Sequence, residues 1–503
     1  MTQSLRTRLA RFGLPIIIAL YLVVGTLYAT YTPAWQAPDE PAHYNYVRYV
    51  ANEHRFPVLK LGDYPASYLE EIKAARFPAG MSIDPMRYEF HQPPLYYLLI
   101  APFYQAFGGW LFPLRLLSVA IAAVLLLVVG WTVQELAPEL PWLALGVTAI
   151  VAFLPMHLAM TAAVNNDTLA ELILATVLLL TICYLKASAE PSRQEDTRLI
   201  VLLGITTGLG FLTKTAAYIA PVLVLAAVAA RHLWLDRDPP PAVATLKAIL
   251  LYLLPAMGLG LPWWVRNVAV YGGFDFLGLG RHGQVVVGQL RTAEFIATHG
   301  TGKLLRDLVL TSFHSFWGQF GWMGVLLDQR LYQVLAILST VAGVGFVAWI
   351  ARKSRERATA CPAVGVPARW QCAAGGLLAL SGLLTLASYL WYNTQFVQHQ
   401  GRYLFPALVP IGLAFALGWR EALRWRFAVP VAALLAMPAV ILRLVGWLPN
   451  WPFLMLCVTS AAFVLRGFLP RRFDPFVPIL PYLLLVPLDV VCLFLFVIPQ
   501  LAA

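Results

Sequence analysis

The sequence predicts an all-α polytopic membrane protein with about thirteen transmembrane helices, and three observations carry that prediction. Of 503 residues, 60% are hydrophobic and 12% charged. That is about half the roughly 25% charge of a soluble domain, and the mean hydropathy is +0.70. Apolar runs of spanning length, about 17–25 residues, recur along the whole chain. The net charge of +11 comes from basic residues in short loops between those runs, which is a pattern of membrane topology rather than of nucleic-acid binding. Almost every segment is a span or a short loop, so one membrane domain over 1–503 is expected.

In order, the runs lie near 13–32, 113–136, 142–163, 168–187, 199–214, 216–235, 244–264, 331–350, 371–391, 403–419, 427–446, 451–467 and 476–499. The first follows Arg6, Arg8 and Arg11. It is long enough to span and has no clean small-residue cleavage site after it, so an uncleaved helix is expected. The segment 93–108, PPLYYLLIAPFYQAFG, is short and aromatic and opens with two prolines. Whether it spans decides which side every later loop faces. If it lies in the interface, Arg352, Lys353, Arg355, Arg357, Arg369, Arg420, Arg424, Arg426, Arg466, Arg471 and Arg472 are all cytoplasmic. If it spans, all eleven face outward, against the positive-inside rule. It is therefore read as an interfacial helix, with the N-terminus cytoplasmic, in the plasma membrane. The cysteines (183, 361, 372, 457 and 492) fall in spans or in a loop placed inside, so no disulfide framework is implied.

Two outer loops are long, about 33–112 and 265–330. The first holds amphipathic stretches at 41–54 and 67–77 suited to a membrane surface. No internal repeat is visible, which disfavours repeat-built transporters. On this topology the notable polar residues collect on the outer face. APDEPAHY (37–44) places Asp39 and Glu40 at a helix start, where Pro41 suits the first turn, with His43 one turn on. Helix capping is the bland alternative. EFHQPPLYY (89–97) holds His91 and Gln92 against two prolines that fix the backbone. AVNNDTL (163–169) sets Asn166 and Asp167 where a span emerges; both also suit a cap, yet an ionisable group at a bundle mouth is a site candidate. FLTK puts Lys214 between two spans, PWWVRNVAVYGG puts Arg266 and Tyr271 at a span end, and QHQGRYLFPAL puts His399, Arg402 and Tyr403 in the last substantial outer turn. Single cations at span ends usually snorkel. Three on the side lacking topogenic charge call for another reason, and phosphate is the natural ligand for them. The aromatics Phe313, Phe316, Trp317, Phe320 and Trp322 read as membrane anchors or a lid rather than sugar platforms. Asp489 is a lone carboxylate inside the final span, for which a partner on a neighbouring helix is expected.

Carboxylates and cations on one membrane face fit a lipid phosphate bearing a sugar. A carboxylate takes the proton of an acceptor hydroxyl, and the cations stabilise the departing phosphate. A single displacement inverts the anomeric centre, as in inverting glycosidases. A lipid-linked donor also accounts for the lack of a Walker loop or dinucleotide fingerprint. Two other readings stand beside it. A transporter or flippase of lipid-linked sugars would need polar residues through the bilayer, whereas most spans are apolar through their middles. An oligosaccharide polymerase or ligase would differ by a larger cavity.

APDEPAHY, HQPPLYY, the NND before a span, FLTK, PWWVRN and QGRYLFPAL, in this order, resemble the GT-C-fold membrane glycosyltransferases. The likeness is to the branch of protein O-mannosyltransferases and the aminoarabinose-to-lipid-A transferase, and it covers about 14–410. The resemblance implies a GT-C-like fold with an interfacial helix before the second span. It implies Asp39 as catalytic acid of the first loop with Glu40 beside it, Asp167 at the second acidic position, and Arg266 and Arg402 near the donor phosphate. The implied partners are a polyprenyl-phosphate-sugar donor, membrane lipids, and a lipid, cell-wall glycan or protein acceptor. The branch commonly has a lysine before the two prolines where this chain has Gln92, which shifts phosphate neutralisation onto Lys214, Arg266, Arg402 or a histidine. Metal-using relatives carry Asp-x-Asp, whereas NND has one carboxylate, so a divalent metal is not favoured and no cofactor is expected. The C-terminal helices from 420 to 503 are less family-like, and no soluble C-terminal domain is expected.

Overall fold

The computed structural model describes residues 3–188, 193–236, 242–359, 368–470, 473–474 and 477–502. Cys361, Arg471 and Arg472, and the side chains of Arg6, Arg8, Arg11 and Arg357, lie outside the described residues. The chain is an all-α membrane protein whose single sheet, among the described residues, is a two-residue antiparallel pair, Gln319–Phe320 with Val325–Leu326. Every apolar run read from the sequence is helical. Among the described residues, eleven helices are long and apolar enough to cross a membrane, or twelve with one bent pair. The expected count of thirteen is not confirmed among the described residues. The run 199–214 forms the helix Arg193–Phe211, but its first turns carry Arg193, Glu195, Asp196 and Arg198, and the apolar remainder rises only about 20 Å.

The bent pair is Pro141–Ala152 with Pro155–Thr161, which turn by 68° between them. Pro155 lacks an N–H and clashes with a preceding carbonyl, so the helix restarts there in a new direction. The second piece then runs beneath the end of the bundle that carries Asp39. The core is built from Tyr21 and Val24, Leu125 and Leu126, Val147, Val177, Val224 and Ala416, all buried. Near the Asp39 end of that bundle Tyr21 donates to Thr161 at 2.9 Å, and His157 Nε2 lies 2.8 Å from Glu171. Helices Gln329–Thr359 and Leu408–Ala422 touch backbone to backbone. A Cβ on Gly418 would lie 1.9 Å from the Ala342 carbonyl, and one on Gly345 would lie 2.0 Å from that of Gly418. Small residues that let helices approach this closely are the usual association device where lipid removes the hydrophobic drive.

The first long loop folds as helices Glu40–Glu53 and Ala66–Ala74, a short turn Tyr88–His91, and helix Leu95–Ala106. The last of these, expected as interfacial, has twelve residues, about 18 Å, against a hydrocarbon core of about 30 Å. It packs on Glu40–Glu53 through the stacked rings of Tyr46 and Tyr97, 3.6 Å apart. The helix Ala242–Tyr271 runs about two turns beyond the expected span end. The second loop then forms helices Leu279–Val285, Thr292–His299 and Thr301–Trp317. Four of its five aromatics pack on neighbouring protein. Trp317 and Phe320 are buried, Phe316 stacks edge-on against Phe405, and Trp322 donates to the Trp35 carbonyl at 3.0 Å. Their apolar surface holds the two long loops together. Asp489 is fully buried, and among the described residues neither carboxylate oxygen has the expected hydrogen-bond partner.

Candidate functional site

The site begins at the start of helix Glu40–Glu53. Pro41 in its first turn fixes the backbone, and Asp39 before it is left-handed, with φ of 65°, a conformation that Asp tolerates better than most residues. Asp39 sits at the N-cap yet makes no side-chain cap bond. Its carboxylate turns outward instead. Oδ2 accepts from Arg402 Nη2 at 2.7 Å and Oδ1 from the Tyr88 hydroxyl at 3.0 Å. Burial raises the Asp39 carboxyl, but the charge and hydrogen bond of Arg402, with His43 and Tyr88, more than reverse that and hold it below its ordinary value. Arg402 is fixed in turn by its Nε bond to Gln400 at 2.6 Å. Gly401 makes this possible, because a Cβ there would lie 2.3 Å from the Ser312 carbonyl and 2.4 Å from the Phe316 nitrogen.

A second carboxylate–cation pair stands beside the first. Lys214 Nζ donates to Asp167 Oδ1 at 2.5 Å. Asn166, at the N-cap of the helix Asp167–Lys186, also makes no cap bond. Its amide donates to the Thr213 carbonyl at 3.1 Å and to Gln92 at 3.4 Å, while Gln92 donates to Glu89 at 2.8 Å. Arg402 lies within electrostatic reach of Asp167 as well as Asp39. His43, bonded to the Tyr97 hydroxyl at 2.8 Å, feels Glu89, Lys214, Asp39 and Asp167 together; burial dominates and pushes its pKa down. His91 bonds the Tyr88 carbonyl at 3.0 Å and faces the His282 ring 4.4 Å away. Burial lowers these two histidines to about 4 and about 3. All three imidazoles are neutral at pH 7.

Exposure separates the two neighbouring acids. The Asp39 side chain is 26% exposed and that of Asp167 is 32%, whereas Glu40 is 0% exposed. Glu40, expected as a second catalytic acid, is instead enclosed by Arg115. The guanidinium bonds its two oxygens at 2.8 and 2.6 Å, and the Trp35 and Val164 N–H groups add bonds at 3.2 Å each. Arg115 also donates to the carbonyls of Ala29, Thr32 and Pro33. Glu40 thus ties the first span to the loop helix and holds its neighbour Asp39 in place.

Arg266 and Tyr271 fall elsewhere than expected. Because their helix extends to residue 271, Arg266 bonds the Pro57 carbonyl and Asn267 and lies over Trp263 and Tyr271. The Tyr271 hydroxyl accepts from the Leu59 N–H at 3.3 Å. They clasp the segment 57–59 rather than the Asp39–Arg402 pair. His399 is buried near Ser315, with Nε2 unbonded; burial lowers its pKa. Tyr403 lies beside Arg402. Sequence reasoning missed Arg115, Tyr88, Glu89 and His282. Arg115 had a signal, since it is a lone cation within an apolar run. Tyr88 and Glu89 directly precede the HQPP motif. His282 had none.

The sequence matches the family described as "Predicted membrane protein (DUF2142)" over residues 87–411, and the chain belongs to that family. No curated protein matches it. Among solved structures it is similar to ArnT from Cupriavidus metallidurans bound to undecaprenyl phosphate, at 15% identity and TM-score 0.46, over 97% of this chain and 76% of that one. It is also similar to the Archaeoglobus fulgidus oligosaccharyltransferase tethered with an acceptor peptide, at 13% identity and TM-score 0.45, over 96% of this chain and 56% of that one. The oligosaccharyltransferase AglB from the same archaeon, with an inhibitory peptide and a dolichol-phosphate, gives 14% identity and TM-score 0.45, with 96% and 56% covered. The chain thus spans little more than half the length of the archaeal enzymes.

Proposed function

We propose that this member of the DUF2142 family is a glycosyltransferase that moves a sugar from a polyprenyl-phosphate donor to an acceptor hydroxyl at the outer face of the plasma membrane. The observation that carries the reading is the Asp39–Arg402 pair, a partly exposed carboxylate turned away from helix capping and held by a cation suited to phosphate. The pair suggests an order of events. A donor phosphate competes for the Arg402 guanidinium, and as that contact transfers, Asp39 loses the charge that depresses its pKa and becomes a better base. Asp39 then takes the acceptor proton while the acceptor oxygen attacks the anomeric carbon. The bond from that carbon to the phosphate oxygen breaks, and the lipid phosphate leaves against Arg402 and Lys214. One displacement inverts the anomeric centre. Asp167 positions Lys214, and His43, Gln92, Asn166 and Tyr403 line the donor's sugar. With two cations supplying positive charge, the reading needs no metal.

The outer-face assignment follows from charge. Arg352, Lys353, Arg369, Arg420, Arg424 and Arg466 gather at the end of the bundle away from Asp39, and the positive-inside rule supports a cytoplasmic location for that end. The test offers purified full-length protein in nanodiscs a panel of short-chain polyprenyl-phosphate sugars with membrane extract as acceptor. Release of free polyprenyl phosphate together with a glycosylated product is the expected result. No transfer from any donor, with lipid-linked sugar crossing proteoliposomes instead, would make the protein a transporter.

A further inference from the structure

A cavity of about 990 Å³ opens at the end of the bundle opposite the Asp39–Arg402 pair, at the top of the range of about 300–1,000 Å³ usual for ligand sites. It belongs to neither the site described above nor the proposed reaction, and nothing about it depends on that reaction. Its interior is apolar, formed by Leu143, Phe346, Trp349, Leu378, Leu413 and Leu417. Its mouth is not: Arg352, Lys353, Arg420 and Arg424 line it with Glu421 and Asp474. Glu356, just outside the lining, pairs with Arg352 and Lys353, so four cations stand against three carboxylates and the rim keeps a positive excess.

The rim is a built arrangement. Arg352 grips Glu421 through Nε and Nη2 at 2.6 and 2.9 Å and Glu356 at 2.5 Å. Arg424 reaches the same Glu421 at 3.1 Å, and Arg420 lies flat over Trp142, 3.8 Å from its centroid. These contacts hold guanidinium groups around the opening. From Arg420 inward the lining continues to Pro410 on the same helix, about 15 Å of helical rise, or one leaflet of a core about 30 Å thick. Gly375 on the facing helix also lines the space, and a Cβ added there meets nothing within 4 Å.

We propose that this cavity binds a membrane phospholipid with an anionic phosphate headgroup, its chains in the apolar interior and its phosphate among Arg352, Lys353, Arg420 and Arg424. A one-leaflet depth and a basic mouth at the headgroup level match that class of molecule and no water-soluble one. Clusters of Lys and Arg at the membrane boundary commonly recognise anionic headgroups in this way.

The test is native mass spectrometry of the full-length protein in detergent, titrated separately with phosphatidylglycerol and phosphatidylcholine. One phosphatidylglycerol is expected to bind at least tenfold more tightly than phosphatidylcholine, with no displacement by excess inorganic phosphate. Gly375→Leu fills the interior with a better helix former, and should weaken both lipids about tenfold in protein of unchanged melting temperature. Lys353→Gln with Arg420→Gln should abolish the preference while leaving phosphatidylcholine binding as it was. Equal affinity for the two lipids, displacement by inorganic phosphate, or undiminished binding to folded Gly375→Leu would overturn the proposal. Should Gly375→Leu fail to fold, the mouth variant decides: a preference that persists in it is equally fatal.

Discussion

Replacing Arg115 by methionine should destabilise the protein more than any single change at the exposed pairs. The side chain makes five hydrogen bonds, two to Glu40 and three to the carbonyls of Ala29, Thr32 and Pro33. Methionine fills similar space but leaves a carboxylate that is 0% exposed with only the Trp35 and Val164 N–H groups. Removing one partner of a buried ion pair costs about 3–5 kcal/mol, because the remaining charge stays desolvated. Glu40→Gln should cost about 1–3 kcal/mol, since the amide oxygen still accepts from Val164 while a donor faces Arg115. The double variant should cost less than the sum of the singles, by a coupling of about 2–3 kcal/mol. Thermal unfolding of the four full-length proteins in one detergent measures the cycle. Because Glu40 adjoins Asp39, sugar transfer should fall at least tenfold in Arg115→Met even below its melting temperature. An Arg115→Met protein within about 1 kcal/mol of wild type, or a coupling near zero, would refute the assignment of this pair as the anchor.

Three further outcomes are expected. Arg402→Lys keeps the charge but reaches only one of Asp39 and Gln400, so loss of one charge-assisted bond of about 1.5–3 kcal/mol should lower transfer about ten- to hundredfold in a steady-state assay. Gly401→Ala drives a methyl into the Ser312 carbonyl and Phe316 backbone; overpacking of about 1–3 kcal/mol should appear as a lower melting temperature together with lost transfer. The third concerns pH. His91 and His282 titrate at about 4 and about 3 when folded, below the ordinary value near 6.5, so the unfolded chain takes the protons first as pH falls. Stability should therefore decline from about pH 6.5 to about pH 4, by about 3 kcal/mol for His91 alone. His43, Lys214, Glu89, Asp39 and Arg291 surround the pair. Melting curves of His91→Gln with His282→Gln should be flatter over that window, and an unchanged pH dependence would show that other groups carry it.

Much of this was readable from residue order alone. The spans were legible because bilayer forces each to be a long apolar run, and the interfacial helix because charge in distant loops arbitrated a segment too short to cross. Asp39, Asp167, Lys214 and Arg402 were legible because a charged residue at a span end is costly enough to draw attention. What was not legible was which neighbour each would meet. Asp39 and Glu40 are adjacent in sequence and alike in chemistry, yet the left-handed backbone at Asp39 sends one carboxylate outward to Arg402 and the other inward to Arg115. Arg266 was displaced by a helix running past its expected end, which no hydropathy pattern marks. The aromatics of the second loop read as anchors or a lid since composition alone does not tell a membrane-facing ring from one packed between two loops.

The measurement that bears most directly on the proposed chemistry compares wild type with Asp39→Asn for donor binding and for transfer, using one short-chain polyprenyl-phosphate sugar. The amide keeps the shape and leaves Arg402 free for phosphate, so donor affinity should stay equal or rise. Transfer should fall about 10²–10⁴-fold, the usual share of a positioned base. Transfer that survives in a folded Asp39→Asn protein would contradict the account and move the base to another carboxylate of the site, Asp167 or Glu89.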